Sequence, residues 1–263
     1  MYRYNNELFW LHVNILIYLP EQGQFIYHAC NVIDKLYICF KSCFNTMLIP
    51  VNKNIFRWGT PDPEGDWVMY GHLIIREETC YLIDPPLVPD LLDSVLRIGK
   101  LGAVILTTLD HTRGAKYICA KSKADLFIPE QLKSTSVDPD LILSQKGIKD
   151  FQKYGTKNLF GMKPIRITIE GKVNGEMPWI DEFALLTDNK ELIVGDIAVG
   201  TFDGKVIVAP EWFPHNPPNS PYLPAIKAFS EIVPESGAVS LLASHGYNLY
   251  DKLQESMHSL FSG

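Results

Sequence analysis

No two cysteines have Cys-x-x-Cys spacing, although the chain of 263 residues has five of them. Thioredoxin-type redox pairs and zinc ribbons are thereby excluded. The odd count argues against a full disulfide framework, so Cys30, Cys39, Cys43, Cys80 and Cys119 read as reduced thiols of a cytoplasmic protein. Cys39 and Cys43 are spaced for one helix face, but only Cys30 and His28 are near enough in sequence to complete a zinc site with them. There is no block of basic residues and the net charge is −6, so nothing points to nucleic acid or an anionic membrane. No apolar run is long enough to span a bilayer: Leu8 to Leu19 is short and holds His12 and Asn14. It has no strong basic region before it and no clear cleavage site after it, which gives a signal peptide little support. Neither G-x-G-x-x-G nor G-x-x-x-x-G-K-[ST] occurs, which removes the common phosphate-cradling loops. G-x-S-x-G is also absent, and with it the usual serine-hydrolase elbow. No repeat with a period of tens of residues is visible.

What is present is ordinary globular composition, 46% hydrophobic and 21% charged, enough for one large core. Residues 1–46 are rich in aromatics and cysteine without a clean period. They are expected to be a loosely attached extension, or to precede a true translation start at Met47, leaving 47–263 as the domain. From Leu48 the pattern becomes regular. Strands are expected at 48–58 and 67–75, around the turn-rich Thr60-Pro-Asp-Pro-Glu-Gly65, and at 80–83, ending on Asp84-Pro-Pro. A helix over 87–99, a strand over 103–107, a helix over 112–122 and a strand over 126–128 follow. Asp138-Pro139 reads as a helix start and 150–154 as a weak helix. Strands are expected at 165–169, 182–186, 192–194 and 206–209. Pro210 to Pro224 holds six prolines and reads as an extended loop. A helix over 226–232, a strand over 239–243 and a helix over 249–261 close the chain. The order is strands, βα units, strands and βα again, which is an α/β layered class.

Three strand ends carry polar residues of one chemical kind: Asp110-His111, Gly195-Asp196 and His245-Gly246. Strand ends of layered α/β domains are where ligand groups collect. Two carboxylates and two imidazoles suit one zinc, iron or manganese ion, and Asp84 at a further strand end suits a ligand-orienting role. The plainer alternative is a set of charge-assisted pairs that hold strand ends together without metal. Glu176 and Glu182 read first as solvated carboxylates and second as pocket residues. Trp212 and His215 in the Pro-rich loop are candidates for the pocket mouth. His72, in a strand with Trp67 and Tyr70, reads as structural.

Leu82-Ile-Asp84, Ile-Leu-Thr-Thr-Leu-Asp-His-Thr-Arg-Gly-Ala at 105–115, Leu-Ile-Val-Gly-Asp-Ile-Ala at 192–198 and Leu-Leu-Ala-Ser-His-Gly at 241–246 together resemble the metallo-β-lactamase fold superfamily over about residues 48–255. The resemblance implies a four-layer αββα sandwich, two mixed sheets flanked by helices. It also implies a first metal motif, His-x-His-x-Asp-His, of which only Asp110 and His111 remain; Leu106 and Thr108 stand at the two leading positions. A further family histidine is missing too, because no histidine occurs from 112 to 214. The three losses remove the first metal site of dinuclear members. Asp110, His111, Asp196 and His245 match the ligands of the second. Two expectations follow: a protein with a degenerate site and no turnover, or a one-metal hydrolase of an ester, thioester, lactone or phosphoester in which Asp110 serves as general base. Either takes a small molecule in its pocket. The sequence leaves the oligomeric state open.

Overall fold

Strand runs that are apolar at nearly every position imply burial on both faces, and the chain builds two such sheets. The structure, a computed structural model, describes residues 15–19, 24–28, 48–63, 67–130, 139–169, 180–208 and 222–259. Of the segment 1–46, only the antiparallel hairpin β1 (Ile15–Leu19) and β2 (Gln24–His28) lies among them. The first sheet has the order β3 (Ile49–Asn52), β4 (Ile55–Pro61), β5 (Val68–Arg76), β6 (Thr79–Ile83), β7 (Lys100–Ile105), β8 (Asp125–Pro129) and β9 (Gln152–Tyr154). Its pairs are antiparallel as far as β6 and parallel from β6 to β9. The second has the order β10 (Lys163–Ile169), β11 (Ile180–Leu186), β12 (Glu191–Val194) and β15 (Ser240–Ala243), with β12 and β15 parallel. A small ribbon pairs β13 (Ala198–Gly200) with β14 (Val206–Val208). The helices are α1 (Leu91–Ile98), α2 (Ala115–Ser122), α3 (Pro139–Gln145), α4 (Tyr222–Ser236) and α5 (Leu253–Ser259).

Side-chain alternation sorts each strand between two cores. In β6 and β7, Cys80, Leu82, Leu101 and Val104 join Leu91 and Val95 of α1 and Ile118 of α2. Ile83, Ala103 and Ile105, on the other face, meet Phe183, Leu185, Ile193 and Leu242 of the second sheet. The second sheet's outer face, with Leu192, Val194, Leu241 and Ala243, packs on Phe229 and Val233 of α4 and Leu253 of α5. The layers are therefore helix, sheet, sheet, helix, as the resemblance implies.

Several local expectations are corrected. The single strand expected at 48–58 is two strands, because the Asn52 Oδ1 accepts the Asn54 backbone N–H at 2.8 Å and closes a turn. The weak helix at 150–154 is β9, pairing with β8 and burying Tyr154. The helix expected from 87 begins only at Leu91, after Asp90 adopts a left-handed conformation with φ 57°. The last helix starts at Leu253 rather than 249, since Leu249 bridges to Leu241. Helix α4 starts at Tyr222, inside the stretch read as loop; Pro224 sits in its first turn, where no backbone N–H is needed. No helix among the described residues is long and apolar enough to cross a membrane. Cys80 and Cys119 are free thiols.

Candidate functional site

The C-terminal ends of β6, β7, β12 and β15 converge. Asp84 follows β6 and is fully buried. Its Oδ1 accepts the Thr107 backbone N–H at 2.8 Å, and its Oδ2 accepts the Thr107 and Ser244 hydroxyls at 2.5 and 2.9 Å. The same Oδ2 lies 2.9 Å from His111 Nδ1. Donors from the ends of β7 and β15 thus meet on one carboxylate. Burial alone would raise Asp84; the charge and hydrogen bond of His111 outweigh it and hold the carboxyl below its ordinary range.

His111 sits in a 3₁₀ turn, Leu109–Thr112, capped by Thr108 Oγ1, which accepts the Asp110 N–H at 3.4 Å. The ring is buried, with Nε2 3.2 Å from Asp196 Oδ1. Burial works against its charge, but the Asp196 and Asp84 carboxylates prevail and lift its pKa to about 9. At neutral pH both ring nitrogens therefore donate. Leu106 lies in the apolar layer beneath the helices.

Asp196 follows β12 at Gly195. A Cβ at 195 would stand 2.7 Å from Thr107 Oγ1 and 3.0 Å from Glu182 Oε2, so the close approach of β7 and β12 needs glycine. Burial would raise the Asp196 carboxyl; the His111 charge holds it well below its ordinary range. The Asp196 backbone N–H donates to Glu182 Oε2 at 2.8 Å. Glu182 is not the solvated carboxylate expected. It is 1% exposed, alternates with Phe183 inside β11, and its Oε1 has no hydrogen-bond partner. Burial, with the nearby Asp196 charge, pushes its pKa up to about 8.

His245 follows β15. Arg57 Nη2 fixes the loop by donating to Ala243 O at 3.2 Å and Gly246 O at 2.6 Å. The residue that sequence reasoning passed over is Arg113. Its backbone has φ 31° and ψ −115°, a conformation costly for any residue with a Cβ. Its guanidinium enters the site: Nη1 donates to Tyr70 O at 2.8 Å and Asp84 O at 3.2 Å, and Nη2 reaches His245 Nε2 at 2.9 Å. His245 Nε2 also lies 3.4 Å from Asp196 Oδ1. A guanidinium has no acceptor lone pair, so it must be the donor. Nε2 then accepts from Arg113, and Asp196 Oδ1 is the more distant of its two polar neighbours.

A cavity of about 240 Å³ opens here, lined by Asp62, Trp67, Met69, Asp110, His111, Arg113, Asp196 and His245. Trp67 stands edge-on to His245 and its indole N–H donates to Asp62 Oδ2 at 2.8 Å. Of the four ligand candidates, His111, Asp196 and His245 bring ligand atoms within 4.8 Å of one another. Asp110 lines the same cavity as an exposed residue, outside that group. Glu176, Trp212 and His215 lie outside the described residues. His72 is fully buried in β5. The pocket aromatic Trp67 carries a weak signal, a tryptophan after a Pro- and Gly-rich turn; Arg113 carries none.

Whether a metal ion fits depends on the donor set. The contact of His111 Nδ1 with Asp84 is the arrangement that orients a ligating imidazole. The three ligand atoms also converge. Against this, the His245 lone pair that a metal would use is taken by Arg113, and the cation that takes it is held by two backbone carbonyls. As they stand, the residues do not fit a metal ion.

Comparison with known proteins gives the fold and no more. No protein-family model matches the sequence. No curated protein matches it either. Among solved structures, the DIM-1 metallo-β-lactamase is 14% identical, with a TM-score of 0.57 over 82% of this chain and 96% of that one. A metallo-β-lactamase from Pontibacter korlensis is 13% identical, with a TM-score of 0.55 over 82% and 98%. TMB-1 is 15% identical, with a TM-score of 0.53 over 82% and 96%.

Proposed function

We propose that this chain, a metallo-β-lactamase fold by its structure, carries a small-molecule binding pocket without the dinuclear centre and without hydrolytic turnover. The observation that carries the reading is the Arg113 guanidinium 2.9 Å from His245 Nε2. Around it, the Asp84 and Asp196 carboxylates already face cations, the His111 imidazolium and Arg113, without an added ion. Leu106 and Thr108 supply no imidazole where the superfamily places histidine, and no histidine lies between 112 and 214. The cavity, at about 240 Å³, is below the range of roughly 300–1,000 Å³ common for drug-sized ligands, which favours a small one.

A second reading rests on one observation, the convergence of His111, Asp196 and His245 within 4.8 Å. Those three would hold a single metal ion, which would supply Lewis-acid polarisation of an ester, thioester, lactone or phosphoester oxygen. Asp110, at the cavity wall, would be the base. Elemental analysis of protein purified without chelator, together with a panel of thioesters, lactones and phosphodiesters, separates the two. The expected result is substoichiometric metal and no turnover. One equivalent of zinc, iron or manganese, with turnover lost in Asp196→Asn, would overturn the first reading in favour of the second.

A further inference from the structure

We infer that Arg113 is the resident cation of this site, a guanidinium in place of a metal ion, and that glycine at position 113 turns His111, Asp196 and His245 into a working metal site. The inference rests on the metal-free reading above and extends it to the single residue that enforces it.

Three observations on different levels agree. The ligand atoms of the trio already lie within 4.8 Å of one another, and His111 is oriented through Nδ1 by Asp84. Three protein ligands with solvent at the remaining position is the open form of a zinc site. The guanidinium is seated rather than adventitious: Tyr70 O and Asp84 O hold Nη1 at 2.8 and 3.2 Å, which aims Nη2 at His245. Finally, the backbone at 113, φ 31° and ψ −115°, is one that glycine adopts freely and arginine does not. The chain therefore keeps a side chain where its backbone favours none, and that side chain occupies His245 Nε2, while the proton on His111 Nε2 is one that a bound metal displaces. A divalent ion bound to His245 would sit in direct repulsion with the guanidinium in a partly dry pocket. Arginine and metal are mutually exclusive occupants. Replacing Arg113 by glycine removes the blocking charge, restores the His245 lone pair and relaxes the turn. The two carbonyls left behind border the space that the guanidinium vacates, where water can satisfy them.

The test uses the full chain, stripped with chelator and dialysed, as wild type, Arg113→Gly, Arg113→Lys and the Arg113→Gly, His245→Ala double variant. Zinc binding is measured calorimetrically, and cobalt binding by its visible d–d absorption. Arg113→Gly is expected to take one zinc at least about a hundredfold more tightly than wild type, from removal of one buried like charge. It should show intense cobalt bands that the double variant lacks. Arg113→Lys should behave as wild type. Arg113→Ala, whose backbone is as strained as the native one, gives the same comparison should glycine loosen the fold in a thermal melt. Zinc affinity in Arg113→Gly and Arg113→Ala no tighter than in wild type overturns the inference while a metal-free wild type leaves the functional reading standing. Stoichiometric, tight zinc in wild type overturns both.

Discussion

At Arg113 the backbone and the side chain have opposed preferences. The sparsely populated backbone conformation costs on the order of 1–3 kcal/mol, and the hydrogen bonds to Tyr70 O, Asp84 O and His245 Nε2 offset it. Asp84 is the other residue on which the site turns, because its carboxylate is the common acceptor for Thr107, Ser244 and His111. Asp84→Asn would point an amide N–H₂ at those donors and leave His111 with one carboxylate. Removing one partner of a buried pair costs roughly 3–5 kcal/mol, so the midpoint of urea unfolding should fall accordingly. An unchanged midpoint would mean that the carboxylate is not a structural hub. Asp84, Asp110, His111, Asp196 and His245 were legible because each polar residue interrupts an apolar run. Arg113 was not, although it stands two residues beyond His111. Its role depends on a backbone angle and on acceptors at 70, 84 and 245, none of which leaves a local mark. Glu182 was misread for a related reason. An acid near the start of a strand looks solvated until the alternation that buries Phe183 is joined to the approach of Asp196.

At the scale of the element, strand ends do the positioning. Thr107 and Thr108 of the β7 end and Glu182 of β11 crowd Gly195 at the β12 end, so that a side chain at 195 would force one of them to move. Gly195→Ala is expected to cost about 1–3 kcal/mol by overpacking. It should also disturb the Asp196 N–H bond to Glu182, seen as a shifted Asp196 amide resonance. Stability within a few tenths of a kcal/mol of wild type would contradict the close packing. Central strands such as β7, β12 and β15 were readable because burial on both faces makes them continuously apolar. The edge elements were less so. β9, with exposed Gln152 and Lys153, carries strand identity only through its pairing with β8. The β3–β4 turn hides in a run whose one cue is Asn52.

For the whole molecule, four layers bury the centre of the first sheet on both sides, and His72 shares that burial. Both of its ring nitrogens are buried without a hydrogen-bond partner. Desolvation, reinforced by the Arg57 charge, holds its pKa down to about 3 from 6.5, with Asp84 pulling the other way and Arg113 adding to the depression. The folded value lies below the unfolded one, so the unfolded chain takes up the proton first as the pH falls. Stability from this group is therefore intact above pH 6.5 and is lost progressively toward about pH 3. His72→Leu should raise stability at neutral pH by about 1 kcal/mol, because two unsatisfied polar atoms leave the core. It should also make the decline in urea midpoint between about pH 7 and about pH 5 shallower than in wild type. An equal slope in the two proteins would remove His72 from the acid response.

The layered architecture and the site are linked by one claim: a side-chain cation fills the place of a metal at these strand ends. Anomalous diffraction at the zinc absorption edge, from wild-type crystals soaked in zinc, tests it most directly. No anomalous peak is expected among His111 Nε2, Asp196 Oδ1 and His245 Nε2, with Arg113 Nη2 still within hydrogen-bonding distance of His245. A full-occupancy peak on those three atoms, with the guanidinium swung out of the cavity, would contradict it.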